Sequence, residues 1–228
     1  MIKGIFSYQI FGQTVWITTT HVSLLIVLLL LAVFSICAHH VITKADPYEK
    51  PGVFQNIVEL IVEMYDNMIT GCMGKSAPKF IGYISTLFTF ILISNFSGLL
   101  GLRPPTADYG VTFPLGLITF GLIFYNKIKH QGVGGFIKGL CDPWPIWAPI
   151  NVIGDIAVPV SISLRLFANI LSGTVMMALV YGLLNKIAWG WPGFLHLYFD
   201  LFSGAIQTYV FCMLTMTYIA DAIGDSNA

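Results

Sequence analysis

Charge is scarce in this chain: Asp, Glu, Lys and Arg together make up 10% of its 228 residues, against roughly a quarter in an ordinary soluble domain. So few charges cannot clothe a water-soluble surface, and a soluble globular fold is excluded. Cysteine is sparse as well, with four residues (Cys37, Cys72, Cys141 and Cys212) far apart. The lack of any CxxC or Cys/His ligand spacing argues against a zinc site or a disulfide framework, and the four read as reduced packing residues. Neither sign of charge dominates, the net charge being +0, and no basic run or aromatic-basic stripe occurs. The electrostatic footprint of nucleic-acid binding is therefore missing, and no nucleic acid is expected as a partner. No GxxxxGK[ST] loop is present, so any nucleotide chemistry belongs to other chains and the protein is not expected to be an enzyme by itself. No cofactor or metal is expected either.

Apolar length is what the chain has instead, with 56% hydrophobic residues. A transmembrane helix needs about 20 mostly apolar residues, rising 1.5 Å each across roughly 30 Å of hydrocarbon. Five segments meet that length, at about 20–42, 80–102, 112–128, 150–188 and 193–222. The first is about twice the length of a signal-peptide core and has no small-residue cleavage site, so it is expected to be a retained span. Between the first two lies FQNIVELIVEMYDNMI, within about 52–70, which puts Ile57, Leu60, Ile61 and Met64 on one side and Glu59, Glu63 and Asp66 largely on another. That pattern predicts an amphipathic helix at the membrane interface. Turns are expected at Pro104-Pro105, at the Gly132-Val133-Gly134-Gly135 cluster and at Trp191-Pro192. The fold class is all-α integral membrane: one domain of five transmembrane helices plus one interfacial helix.

Short cytoplasmic loops retain Lys and Arg. Lys44, Lys50, Lys75 and Lys79 flank the amphipathic segment, and Lys127, Lys129 and Lys138 follow the third span, so both regions are expected inside. Only Lys3, Arg103 and Lys186 fall on the other side. The N terminus is thus expected outside and, after five spans, the C terminus in the cytoplasm.

The last two apolar stretches are too long for a simple crossing: residues 150–188 as one helix would extend about 58 Å. The helix must tilt, kink or run past the membrane, with Pro159, Gly173 and Gly182 as places to bend. A tight turn at Trp189 to Gly193 would make the pair an antiparallel hairpin, presenting a broad flank to a neighbour.

Within that fifth-helix pattern, PVSISLRLFANILSG holds Arg165 far from either end. A guanidinium at that depth costs from about 3 to more than 10 kcal/mol, so something must compensate it. Ser161, Asn169 and Ser172 share its face at 100° per residue. The last helix carries a comparable stripe of Asp200, Ser203, Gln207 and, further round, Asp221. Two such stripes facing each other would enclose a wet path. Arginine cannot release a proton at any useful pH, which makes Arg165 a fixed charge that repels cations and forces a nearby carboxylic acid to ionise. The competing reading is an internal salt bridge of Arg165 with Asp200 or Asp155 that only holds helices together.

The run Ser161-Ile-Ser-Leu-Arg165-Leu-Phe-Ala-Asn169-Ile resembles the signature of the a subunit of F-type ATP synthases. Further matching pieces are Phe54-Gln55 through Glu59, Ser94-Asn95-Phe96-Ser97-Gly98-Leu99, Pro105-Thr106-Ala107-Asp108, Gly134-Gly135-Phe136, and Ile206-Gln207-Thr208-Tyr209-Val210-Phe211. The resemblance covers most of the chain. It implies a membrane stator whose long tilted C-terminal hairpin lies beside the c-ring, with c-ring subunits, peripheral-stalk b subunits and the remainder of the ATP synthase as partners in a lipid bilayer. Arg165 would then be the ion-translocation gate facing each passing c-subunit carboxylate, flanked by Asn169, Gln207, Ser161 and Ser172. Asn95, Asp108, Asp200 and Gln207 would lie on or near the outward half-channel, with His196 one turn from Asp200. Asp155, Ser161 and Asp221 would belong to the cytoplasmic one. One departure stands out: the position nine residues after the gate, which many family members fill with an acidic or His side chain, is Thr174 here. His21, His39, His40 and His130 are too scattered to form a relay and are assigned to interfaces.

The alternative function is a self-contained ion channel or secondary transporter, which would need its own binding site or an internal repeat; the two halves of the chain do not echo one another. A third reading is a non-conducting scaffold in which Arg165 is replaceable. With no organelle-import segment visible, the expected location is a bacterial plasma membrane. Whether H⁺ or Na⁺ is carried depends largely on the ring.

Overall fold

The computed structural model describes residues 4–10, 13–44, 52–140, 144–184, 194–195 and 197–224. The first ordered element, within the stretch that reads only as mixed sequence, is a β-hairpin. Strands β1 (Gly4–Ile10) and β2 (Gln13–Thr18) pair antiparallel, from Ile10 opposite Gln13 to Gly4 opposite Thr18, with an irregularity between Gly4 and Phe6. Val15, Trp16, Ile17 and the threonines around them have the branched and aromatic side chains that favour a pleated surface.

Strand β2 runs directly into α1 (Thr19–Lys44). This helix buries a narrow line of Thr20, Ser23, Val27 and Ala38 and exposes Leu25, Leu28, Leu29, Val33 and Ile36, the exposure expected of a span surrounded by hydrocarbon. Helix α2 (Val53–Met73) follows and is not among the helices apolar enough to cross a membrane. It buries Val58, Tyr65, Ile69 and Met73, and its outer surface divides into an acidic strip of Glu59, Glu63 and Asp66 and an apolar strip of Ile57, Leu60 and Met64. A 3₁₀ turn (Gly74–Lys79) leads to α3 (Ile81–Phe96), which ends in another 3₁₀ turn, Ser97–Leu100. The short turn Pro105–Ala107 then introduces α4 (Tyr109–Leu140). Asp108 caps α4, its Oδ1 accepting the Gly110 N–H at 3.0 Å, which satisfies one of the orphan donors at a helix start.

Among the described residues, five helices are long and apolar enough to span a membrane, at Thr19–Lys44, Ile81–Leu100, Tyr109–Gly132, Ala148–Leu183 and Leu197–Ile223. Two boundaries depart from the sequence reading. The helix that carries the third span continues past residue 128 to Gly132, and the glycine cluster is not a simple turn. Helical structure resumes through Leu140 after a break at Gly132, whose φ of 69° and ψ of 163° belong to a region open essentially only to glycine. The break is sharp enough to bring the Phe136 ring within 5.2 Å of Phe124, whereas twelve residues of straight helix would separate them by about 18 Å.

After a 3₁₀ turn (Pro145–Trp147), α5 runs for 37 residues, Ala148–Leu184, a length of about 55 Å. The last span begins with a π-helical segment, Leu197–Ser203, and continues as α6, Gly204–Ile223. The expected turn at Trp189 to Gly193 lies outside the described residues.

Helix α6 is the hub, packing against α2, α3, α4 and α5. The core joins Tyr65, Ile69 and Met73 of α2 with Ile84, Leu87 and Ile91 of α3, Ile162 and Leu166 of α5, and Phe211, Met216 and Ile219 of α6. Burial pushes the Tyr65 hydroxyl above its ordinary range, while its bond to Thr89 acts the other way. Helices α4 and α5 cross closely at Gly116, where a Cβ would stand 2.8 Å from the Pro159 carbonyl oxygen and 3.1 Å from Ser163 Cβ. The missing side chain is what allows the two backbones to meet.

Candidate functional site

Helix α5 buries one stripe and exposes another. Pro159, Ile162, Ser163, Leu166, Ile170, Gly173 and Met177 point inward, while Ser161, Arg165, Ala168 and Ser172 lie on the open face. Arg165 is residue 18 of the helix, at its middle. Among the described residues no carboxylate forms an ion pair with it. Asp155, one of its two candidate partners, is held instead by Lys127, Nζ to Oδ2 at 2.9 Å; the expected alternative of an Arg165–Asp155 bridge is therefore replaced by a different pair. The side chain of Asp200, the other candidate, lies outside the described residues, as does the whole of His196.

Two contacts set the register between α5 and the last span. A Cβ on Gly173 would lie 3.6 Å from Phe199 Cβ. One turn back, Ser203 Oγ donates to Asn169 Oδ1 at 3.1 Å, and Asn169 Nδ2 reaches the Ser203 carbonyl at 3.5 Å. The pairings 173 with 199 and 169 with 203 describe antiparallel neighbours, so Gln207 lies further along the last span in the direction of Arg165. Gln207 is 8% exposed, and its Nε2 has no hydrogen-bond partner among the described residues. Such an orphan amide costs about 1–3 kcal/mol, so its retention calls for a reason outside the packing of this chain.

The reading of Asp200, Ser203, Gln207 and Asp221 as one α-helical stripe needs correction at its start. Residues 197–203 are π-helical, with wider turns than an α-helix, so spacing at 100° per residue does not carry across Ser203. No feature of the local sequence announces the π segment. Ser203 nevertheless reaches α5 through Asn169, as described above.

Asn95 has a fully occupied amide. It is 1% exposed, donates to the Gly204 carbonyl at 3.0 Å and to Thr208 Oγ1 at 3.1 Å, and accepts from Thr106 Oγ1 at 2.7 Å. It thereby ties α3, the Pro105–Ala107 turn and the start of α6 into one knot. Asp108 is half-buried and engaged as the α4 cap. Thr174 is exposed, its hydroxyl donating to the Leu171 carbonyl at 2.8 Å.

At the opposite end of the bundle, Lys127, Asp155, Tyr218 and Asp221 line a cavity of about 230 Å³ between α4, α5 and α6. The structure thus gathers Asp155 and Asp221 in one place, some distance along their helices from the Arg165 level. Three contributors to these arrangements were missed by sequence reasoning. Thr106 and Thr208 lie within pieces of resembling sequence, but no periodicity marks them; Lys127 reads in sequence only as an inside-facing charge.

The fold and these sites define a polytopic helical membrane protein with a mid-helix arginine on an open face that has no ion-pair partner among the described residues. A family profile described as "ATP synthase A chain" matches residues 20–220. Among similar proteins, "ATP synthase subunit a, sodium ion specific" of Propionigenium modestum is 39% identical over 79% of this chain and 65% of its own length. ATP synthase subunit a of Desulforamulus reducens is 36% identical over 78% of this chain and 70% of its own. The Staphylococcus aureus protein (strain JH9) is 32% identical over 89% and 90%. The chain spans about two thirds of the length of the first two relatives. The chain belongs to the ATP synthase A chain family.

Proposed function

We propose that the chain is the ion-translocating stator subunit of a rotary F-type ATP synthase, with Arg165 as the fixed gate between two aqueous half-channels. The observation that carries this reading is Arg165 itself, a permanent cation at the middle of α5, on its open face, with no ion-pair partner among the described residues. In a bilayer that charge demands an anion from another polypeptide, and a carboxylate on each c-ring subunit supplies it.

The mechanism follows from what a guanidinium does. It stabilises an ionised ring carboxylate opposite it and never takes part in proton exchange. An ion entering by the outward half-channel neutralises the carboxylate, which then leaves Arg165 and travels through lipid. After nearly a full rotation the site meets the second half-channel, and the approach of Arg165 favours release of the ion. The same positive charge blocks a direct leak between the half-channels. Each elementary charge crossing is worth about 2.3 kcal/mol per 100 mV, so several crossings are summed for each ATP.

Asn169, fixed by Ser203, and Gln207, whose Nε2 has no hydrogen-bond partner among the described residues, flank the gate; Ser161 and Ser172 continue its polar face. Asp200, Gln207 and His196 belong to the outward path, where Asp108 and Asn95 hold the surrounding turns in place. Asp155 and Asp221 line the cytoplasmic path. The N terminus lies outside and the C terminus in the cytoplasm of a bacterial plasma membrane, with peripheral-stalk b subunits and the c-ring as neighbours.

Arg165→Ala tests the proposal in inverted membrane vesicles carrying the whole assembly. ATP-driven ion pumping and ATP synthesis are both expected to be lost while the chain still assembles; retained pumping refutes the gate. The carried ion, H⁺ or Na⁺, is identified by whether Na⁺ stimulates ATP hydrolysis.

A further inference from the structure

The cavity between α4, α5 and α6 holds a basic residue that the translocation scheme does not use. Lys127 Nζ lies 2.9 Å from Asp155 Oδ2 and 5.3 Å from the centre of the Phe136 ring. Phe136 reaches it only because the chain breaks at Gly132 and brings the ring back against Phe124. Three separate pieces of chain thus converge on one ammonium group. The pair is partly open, with side-chain exposures of 27% for Lys127 and 37% for Asp155. An ion pair with that much solvent contact is weakly held and separates easily. Asp221, on the same cavity, is exposed and has no ion-pair partner among the described residues.

We propose that this cavity is the vestibule of the cytoplasmic ion path and that Lys127 is its positioning residue, neutralising Asp155 so that only one carboxylate charge remains to attract the ion. The inference rests on the stator reading above. A conducting site must attract its ion strongly enough to admit it and weakly enough to let it go. Two carboxylates set against one ammonium leave a net charge of −1, suited to the passage of a monovalent cation, hydronium or sodium. Two carboxylates without the ammonium form a site for hard divalent cations, which prefer clustered oxygen ligands. Lys127 therefore protects the path from being plugged by Ca²⁺ or Mg²⁺, and the Phe136 face gives the ammonium a second resting place while an ion passes.

The test is Lys127→Gln in inverted vesicles with the whole assembly, with ATP-driven pumping measured against Ca²⁺ concentration and the chain quantified by immunoblot. Pumping is expected to fall severalfold and to become inhibited by millimolar Ca²⁺ at concentrations the unsubstituted protein tolerates. Lys127→Arg should keep both rate and tolerance, and adding Asp155→Asn to Lys127→Gln should restore tolerance. A bridge that merely held helices together would lower the amount of chain without creating Ca²⁺ sensitivity. Asp221→Asn leaves the pair intact and is expected to slow pumping severalfold, which keeps the proposal testable should Lys127→Gln fail to accumulate. Unchanged pumping in Asp221→Asn, or Lys127→Gln that pumps normally or slowly but without Ca²⁺ sensitivity, overturns it. Arg165→Ala in the same vesicles separates the two readings: if it abolishes pumping while Lys127→Gln behaves as unsubstituted protein, the stator assignment stands and the vestibule assignment alone falls.

Discussion

Replacing Asn95 by Leu asks whether this side chain conducts or holds. The substitution keeps the branched outline of four side-chain heavy atoms, with somewhat greater bulk, and removes three hydrogen bonds, to Gly204, Thr208 and Thr106. The losses are unequal. The Gly204 carbonyl still accepts from Thr208 Oγ1 at 2.8 Å, so neither of those groups is stranded. Thr106, at 0% exposure, loses the acceptor its hydroxyl uses. Two net bonds at about 1 kcal/mol each and a stranded buried hydroxyl at about 1–3 kcal/mol give a total cost of roughly 3–5 kcal/mol.

For a chain of this size that cost lowers the thermal midpoint by roughly 6–20 °C, measurable on purified protein in detergent or nanodiscs. Thr106→Val supplies the internal control. Alone it strands the Asn95 carbonyl oxygen; combined with Asn95→Leu it removes both partners, so the double variant should recover about 1–2 kcal/mol relative to additivity. A midpoint within about 2 °C of the unsubstituted protein, together with altered ion flux, would refute the holding role and return Asn95 to the conducting path.

Gly116→Val places a branched side chain where even a Cβ lies 2.8 Å from the Pro159 carbonyl oxygen; α4 and α5 must separate, and the expected result is little folded chain by fluorescence-detected gel filtration, whereas Gly121→Val, with open space at its Cβ, should accumulate normally. Gln207→Leu removes a buried amide with no partner for its Nε2 among the described residues, so the thermal midpoint should hold or rise while coupled transport falls without vanishing. Normal transport in that variant would take Gln207 out of the site.

The spans were legible because bilayer thickness imposes a length that composition reveals. The acidic strip of α2 was legible for the same reason: it follows from helical period alone. What could not be read arises from long-range geometry. The Gly132 break looks like any glycine-rich turn until the Phe136–Phe124 contact shows the chain folding back. The π segment re-phases Asp200 against Gln207, and no residue within it announces the change in the sequence. Lys127 shows the limit for charges: a loop cation and a buried-end cation look alike in sequence, and only the approach of α5 distinguishes them. The β-hairpin was missed because its strands are short and lie ahead of a far stronger apolar signal.

Arg165 and Gln207 lie on the two helices joined by the 173–199 and 169–203 contacts; among the described residues Arg165 has no ion pair and Gln207 Nε2 no hydrogen bond. Buried polar groups such as Asn95, Thr106, Thr119 and Ser163 have partners within the chain, while the Thr20, Ser94 and Thr215 hydroxyls, like the Gln207 amide, have none among the described residues; on α5 a full positive charge without an ion pair among those residues is added to that amide. A protein selected only to fold would remove them, because a central guanidinium facing hydrocarbon costs at least about 3 kcal/mol. Arg165→Leu should therefore increase insertion and thermal stability of the chain expressed without its partners, and abolish ion-coupled ATP synthesis in the complete assembly. That opposition is the signature of a residue kept for function at the expense of stability. Should Arg165→Leu weaken the isolated chain, the guanidinium has a compensating partner within it, and the requirement for an anion from another subunit disappears.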